Sequence, residues 1–130
     1  MLTLPPSVRI FVAAEAVDLR RGVDGLAAAT RSVIREDPLN GHLFVFLNRR
    51  RNRIKLLVWD RTGYLIVYKR LERGTFSLTT APAPGHRHVE MDAGELALML
   101  EGVDLRRTVR RERWRRLPAP ARTDLGPSSL

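Results

Sequence analysis

Residues 48–60 read NRRRNRIKLLVWD, and four of the five positions Arg49 to Arg53 are arginine. Guanidinium groups this close repel one another unless an anion joins them. They also fork readily around phosphate or carboxylate oxygens. The chemistry they point to is anion binding. Carboxylates offer a second possibility, since a strand-transfer or nuclease site needs acids converging on metal ions. Asp18, Asp24, Glu36, Asp37, Asp60, Glu72, Glu90, Asp92 and Glu95 are spread along the chain. Most fall at expected turns, caps or helix ends, where capping accounts for them. Asp60, Glu72 and Lys69 come nearest to a nuclease set, but their order and spacing do not match one. His86 and His88 form an H-R-H pair with no evident third or fourth ligand, and His42 is distant in sequence. There is no glycine-rich phosphate loop of a nucleotide-binding kind and no nucleophile elbow. No catalytic residue, metal or cofactor is expected, and the chain reads as a binding protein rather than an enzyme.

The overall charge agrees. Net charge is +9, and all but two of the 23 basic residues are arginine, the exceptions being Lys55 and Lys69. A GC-rich genome accounts for arginine over lysine but not for the excess of positive over negative charge. Such an excess suits a polyanionic partner, whether nucleic acid or an acidic surface. It is concentrated in two blocks. Residues 47–73 carry nine basic and two acidic side chains, and residues 104–116 carry seven and two. Cysteine is absent, which excludes disulfides and thiolate sites and fits a reducing cytoplasm. No apolar run reaches the ~18–20 residues of a membrane span. The opening MLTLPPSVRIFV lacks the basic and long apolar regions of a signal peptide. No membrane association is expected.

Hydrophobic patterning defines the elements that must position these charges. Ser7 to Ala13 reads as a first strand. Asp18 is a candidate N-cap, followed by a helix to about Glu36 with Val23, Leu26, Ala27, Thr30, Val33 and Ile34 as its apolar stripe. Asp37-Pro38 ends it and Asn40-Gly41 turns the chain. His42 to Leu47 is apolar on both faces and reads as a central, fully covered strand. Arg49 to Asn52 is then a hairpin loop, Arg53 to Trp59 a strand, Asp60 to Gly63 a turn and Tyr64 to Leu71 a third strand. Short loops make this run an antiparallel meander. Thr75 to Thr79 is a candidate further strand, and Val89 to Met91 a short pairing segment. Asp92 and Glu95 have capping-box spacing before a helix from Ala93 to Glu101, with Gly102 as its stop. The expected fold is α+β: an antiparallel meander of about four to five strands packed on one main helix, with a shorter C-terminal helix. Residues 1–104 form one domain, 105–117 a basic and weakly amphipathic candidate helix, and 118–130 a disordered tail.

Alternation then assigns faces. Arg53, Lys55, Leu57 and Trp59 share one side of their strand, and Tyr64, Ile66, Tyr68 and Arg70 one side of the next. Cations interleaved with aromatics suit phosphate contacts beside base or sugar stacking. The expected nucleic-acid-binding residues are Arg49, Arg50, Arg51, Arg53, Lys55, Trp59, Tyr68, Lys69 and Arg70, with Arg106, Arg107, Arg110 and Arg111 from the second basic block. Arg20 and Arg21, near the first helix, could also reach a phosphate or a partner carboxylate.

Four runs carry a family resemblance: VDLRRGVDGLAA, DPLNGHLFVFLNRRRNRIKLLVWD, YKRLERGTF and ELALMLEGVDLRR. In this order they resemble the small accessory protein of the bacterial insertion-sequence family sixty-six, often called TnpB or Orf2-like. The resemblance covers roughly residues 7–110. Two positions depart from the usual pattern: Arg61-Thr62 stands where Gly-Asp is usual, and Leu78-Thr79 where Trp-Pro is usual. The resemblance implies a role in transposition beside a separate, larger transposase. The resulting expectation is a non-catalytic accessory factor that binds DNA, either transposon ends or duplex of any sequence, and assists the transposase. Two alternatives remain: an adaptor whose basic face meets the transposase itself, and a metal-dependent nuclease. Nothing in the residues specifies an oligomeric state.

Overall fold

Leu43 to Leu47 contains no polar side chain, so it is stable only with both faces covered. In the computed structural model, which describes residues 7–78 and 81–102, all five are buried. The strand β2 (Leu43–Leu47) lies at the centre of a five-stranded sheet. Its other strands are β1 (Ile10–Ala13), β3 (Arg53–Trp59), β4 (Tyr64–Arg70) and β5 (His88–Met91), in the order β4-β3-β2-β1-β5. The run β2-β3-β4 is the antiparallel meander expected from its short turns. β5 pairs antiparallel with β1, matching the short pairing segment foreseen near Val89. β1 and β2 pair in parallel, so the sheet is mixed. The chain between them carries a helix over the sheet, and that crossover returns the strand in the same direction.

Alternation along the strands feeds two cores. On one face Phe11, Ala13, Phe44, Phe46 and Leu57 meet Val17, Leu19 and the helix α1 (Val23–Ala29) with its continuation through Ile34. On the other, Ile10, Val12, Val45, Leu56 and Met91 meet Phe76 and the helix α2 (Ala93–Glu101). From the foreseen stripe of α1, Leu26, Ala27, Thr30 and Ile34 are buried and Val33 packs beside them, while Val23 stays exposed. The Thr30 hydroxyl donates to the Leu26 carbonyl (2.9 Å), and from Thr30 to Ile34 the helix widens to π geometry.

Three local expectations are corrected. Asp18 does not cap α1, whose N-cap is Gly22 in an extended conformation without a side-chain bond. Asp18 instead closes a turn of its own, accepting from the Arg20 amide (3.0 Å), because Leu19 beside it is drawn into the core. The helical residues therefore begin five positions later, at Val23. Thr75 to Leu78 forms no strand; Phe76 is pulled into the α2-side core and its amide donates to the Arg51 carbonyl (2.7 Å). Residues 79–80 and everything after 102, including the candidate helix and tail, lie outside the described residues.

The two ends of α2 are as read from sequence. The Asp92 carboxylate accepts from the Glu95 amide (2.7 Å) while the Glu95 carboxylate accepts from the Asp92 amide (3.0 Å), completing the capping box. Gly102 stops α2 at φ +76°, where a Cβ would stand 2.6 Å from a Leu71 methyl. No helix among the described residues is long and apolar enough to cross a membrane.

Two stability outcomes follow. Phe44→Ala or Phe46→Ala, each removing a fully buried ring, should destabilise the domain by ~3–5 kcal/mol in urea titration. That is a large share of the ~5–15 kcal/mol that holds a domain of this kind together. Arg61 sits at φ +83°, a left-handed position that glycine adopts without strain. Arg61→Gly should raise the melting temperature and stabilise by up to about 1 kcal/mol, the relief of left-handed strain less the entropy that glycine adds to the unfolded chain.

Candidate nucleic-acid interface

The turn between β2 and β3 is built by two asparagines rather than by its arginines. Asn48 Oδ1 accepts from the amides of Asn52 and Arg53 (both 3.0 Å), and Asn48 Nδ2 donates to Asn52 Oδ1 (2.7 Å). The Asn48 carbonyl accepts from the Arg51 amide (3.0 Å). Arg51 takes a left-handed conformation, φ +59°. From outside, Arg51 and Asn52 carbonyls accept from the amides of Phe76 (2.7 Å) and Leu71 (2.8 Å). The backbone of the tip is thus held from both sides. Its arginine side chains play no part in this. Arg49, Arg50, Arg51 and Arg53 are all exposed and form no ion pair among the described residues.

Strand register decides how far this charge extends. Arg53 lies opposite Arg70, Lys55 opposite Tyr68, Leu57 opposite Ile66, and Trp59 opposite Tyr64. These pairs share one face, the one foreseen. Like charges directly opposite one another weaken a sheet, so the Arg53–Arg70 pair does not serve stability. Arg70 is partly offset by Glu72 (2.9 Å) in an exposed pair of small energetic consequence. Lys55 lies with its ammonium 5.5 Å from the Tyr68 ring centroid and donates to the Arg21 carbonyl (3.1 Å). The face does not stay cationic. Leu57 is buried under α1 and Ile66 packs beside it. Trp59 lies about 20 Å along β3 from Arg53, paired edge-to-face with Tyr64 at 5.0 Å.

Tip and strands face a cleft of about 550 Å³, walled across by residues 16–20. The Val17 amide donates to the Leu47 carbonyl (2.9 Å), fixing that wall to the end of β2. Arg49, Arg50, Arg53 and Tyr68 line one side, Asp18 and Arg20 the other. Arg20 grips Asp18 with Nε and Nη2 (2.9 Å for the shorter), and this fork holds the Asp18 carboxyl down at about 2.

The foreseen residues therefore divide. Arg49, Arg50, Arg53, Lys55, Tyr68 and Arg70 gather at one end of the sheet, with Arg51 on the turn. Trp59 is at the other end. Lys69 is on the opposite face, where its ammonium donates to the Leu100 carbonyl at the end of α2 (2.7 Å). Arg106, Arg107, Arg110 and Arg111 lie outside the described residues. The sequence reading passed over Asn48 and Asn52, although their symmetric flanking of three arginines was a usable signal. It left Arg20 open, and the structure brings it into the cleft.

Most of the acids weighed for chemistry have structural partners. Asp60 Oδ1 accepts from the amides of Thr62 and Gly63 and from the Thr62 hydroxyl, bonds that lower its pKa. Glu90 is bound by both Nε and Nη2 of Arg9 (2.8 and 2.7 Å). His88 donates through Nδ1 to the Ile34 carbonyl (2.9 Å) with its ring edge-on to Phe11, while His86 is exposed. Among the described residues, no three His, Cys, Asp or Glu side chains are grouped to hold a metal ion.

Such a chain is a small basic α+β module with an arginine hairpin set by asparagines. It belongs to the family described as IS66 Orf2 like protein, whose profile matches residues 8–110 and so takes in every strand and both helices. It is similar to two proteins of Sinorhizobium fredii (strain NBRC 101917 / NGR234). One is uncharacterized protein y4jC, 36% identical over 104 residues that span 80% of this chain and 86% of that one. The other is uncharacterized protein y4hO, 32% identical over 115 residues that span 88% and 96%. No solved structure matches the chain.

The Asp18–Arg20 fork has a direct reading by carboxyl NMR. Asp18 should titrate near 2, and Arg20→Ala should return it toward the ordinary value of 3.8. A carboxyl depressed in the folded state stabilises above its unfolded pKa and loses that contribution as pH falls through the folded value. The turn should accordingly weaken from about pH 3.8 down to about 2 and not at neutral pH.

Proposed function

We propose that this chain is a non-catalytic accessory factor of insertion-sequence transposition that binds DNA phosphates through its arginine hairpin and assists a separate transposase in the cytoplasm. The observation that carries the reading is the Asn48–Asn52 cage. It fixes the turn without help from the side chains of Arg49, Arg50, Arg51 or Arg53, so these four charges are presented together and, among the described residues, without an ion pair. A fold gains nothing from such a cluster. A polyanion removes its self-repulsion and releases counterions in doing so. Lys55, Tyr68 and Arg70 extend the surface along the strands. Arg106, Arg107, Arg110 and Arg111, a second basic segment of the sequence, also bind DNA in this reading, and Trp59 and Lys69 play at most a peripheral part. Family membership supports the link to transposition. The structural employment of Asp18, Asp60, Glu72 and Glu90 supports a role without catalysis.

Fluorescence anisotropy with random duplex DNA tests the reading. Affinity should fall steeply between ~50 and ~200 mM salt. Replacing Arg49, Arg50 and Arg51 together with alanine should leave the melting temperature nearly unchanged, since exposed substitutions stay within ~0.5 kcal/mol each. The slope of log affinity against log salt should shrink by roughly 0.9 for each phosphate that the variant no longer neutralises. Affinity indifferent to salt would remove the phosphate-binding surface. If the triple variant keeps its DNA affinity but no longer co-purifies with transposase, the arginines meet a protein carboxylate cluster instead.

A further inference from the structure

We propose that the cleft beside the hairpin receives an unpaired nucleotide, so that the preferred ligand is a single strand or a duplex carrying an unpaired base. The inference rests on the phosphate-binding reading above and goes beyond it.

A cationic tip alone would suit any phosphate backbone. The cleft adds three features that a duplex surface does not use. The first is its size: a half-open cleft of about 550 Å³, within the ~300–1,000 Å³ span of small-molecule sites. The second is Tyr68. The residue is 49% exposed on the edge strand and lines the cleft among arginines, with the Lys55 ammonium over one face of its ring at 5.5 Å. Paired bases hide their faces in the stack, whereas an unpaired base can lay a face on an aromatic ring. The third is Asp18. A carboxylate is unwelcome in a site for phosphate alone, yet it lines this one, with its charge matched by Arg20. It is an acceptor suited to the exocyclic amino group on the edge of a base, an edge that is free only when the base is unpaired. Arg49, Arg50 and Arg53, on the same side as Tyr68, are placed to hold the phosphates flanking that base. Arg20, its side chain 89% exposed, is a second planar group on which a base can stack.

The test uses the full chain and three labelled DNAs at one salt concentration: a mixed-sequence single strand, a blunt duplex, and the same duplex with one bulged nucleotide. The wild type should bind the single strand and the bulged duplex roughly tenfold more tightly than the blunt duplex, as loss of one stacked base would dictate. Tyr68→Leu keeps an apolar side chain on the strand but removes the ring face. It should abolish that preference, weakening the first two ligands roughly tenfold more than the blunt duplex. Tyr68→Phe should retain the preference. The alanine variant of Arg49, Arg50 and Arg51 should weaken all three ligands together. Equal wild-type affinity for blunt and unpaired DNA overturns the proposal, as does a Tyr68→Leu variant that keeps the preference. In either case salt-dependent duplex binding leaves the phosphate reading standing. Absence of salt-dependent binding to all three ligands overturns both. Displacement of the single strand by free deoxycytidine monophosphate at equal concentration also overturns it, because one phosphate cannot engage the tip arginines as a strand does.

Discussion

Burial of β2 on both faces is the constraint from which the rest of the fold follows. A strand with no polar side chain needs a neighbour on each edge and a layer on each face. β1 and β3 supply the edges. The helix of the crossover covers Phe44 and Phe46, and α2 with Phe76 covers Leu43, Val45 and Leu47. Phe11 ties the first face together, stacked on Phe44 at 5.8 Å and met edge-on by His88 at 4.9 Å. Once β2 is enclosed, β4 is left at an edge, and the β2–β3 turn is left at the sheet's rim. Charge that could not be tolerated anywhere near the centre collects at that turn.

Local rules are broken in the turns that flank β3 and across its pairing with β4. Arg51 and Arg61, in the turns at either end of β3, hold left-handed conformations that favour glycine or asparagine. Arg53 and Arg70 oppose one another across two strands. Each choice costs stability, offset by the Asn48–Asn52 bonds at the tip, by the Asp60 bonds in the next turn and, in part, by Glu72 beside Arg70. Departures from local consistency that neighbours support in this way are the kind from which a role beyond the fold is inferred. A fork of Arg20 on Asp18 belongs with them. It is exposed, so it contributes little to stability, and its effect is to hold a negative and a positive group in fixed relation on the wall of the cleft.

Carboxylates show the opposite use. Asp92 with Glu95, Asp37, Asp60 and Glu90 each satisfy an amide or a guanidinium within the scaffold. Separation of roles by sign is therefore built into the domain: negative groups hold turns, caps and strand edges, while most cations of the β2–β3 tip are free. Lys69 is the instructive exception, a cation used as a cap on the Leu100 carbonyl of α2. Its place next to Arg70 in the strand puts it on the opposite face, because neighbouring residues in a strand face opposite ways.

The sequence by itself determined the α+β class, the meander, the central covered strand, the capping box and the solvent-facing arginine turn. These features depend on hydrophobic period and on short-range turn chemistry, which are local and readable. It also determined the family, through HLFVF, NRRRNRIKLL and YKRLERG in order. Tertiary structure alone decided the parallel pairing of β1 with β2, since strand direction depends on where a crossover packs. It alone moved Asp18 from a helix cap to a cleft wall, because the burial of Leu19 drew the chain into a separate turn. It alone divided a continuous-looking cationic face, because α1 covers Leu57 between Lys55 and Trp59. Alternation says which residues share a face of a strand; only the packing of other elements on that face says which of them still meet solvent.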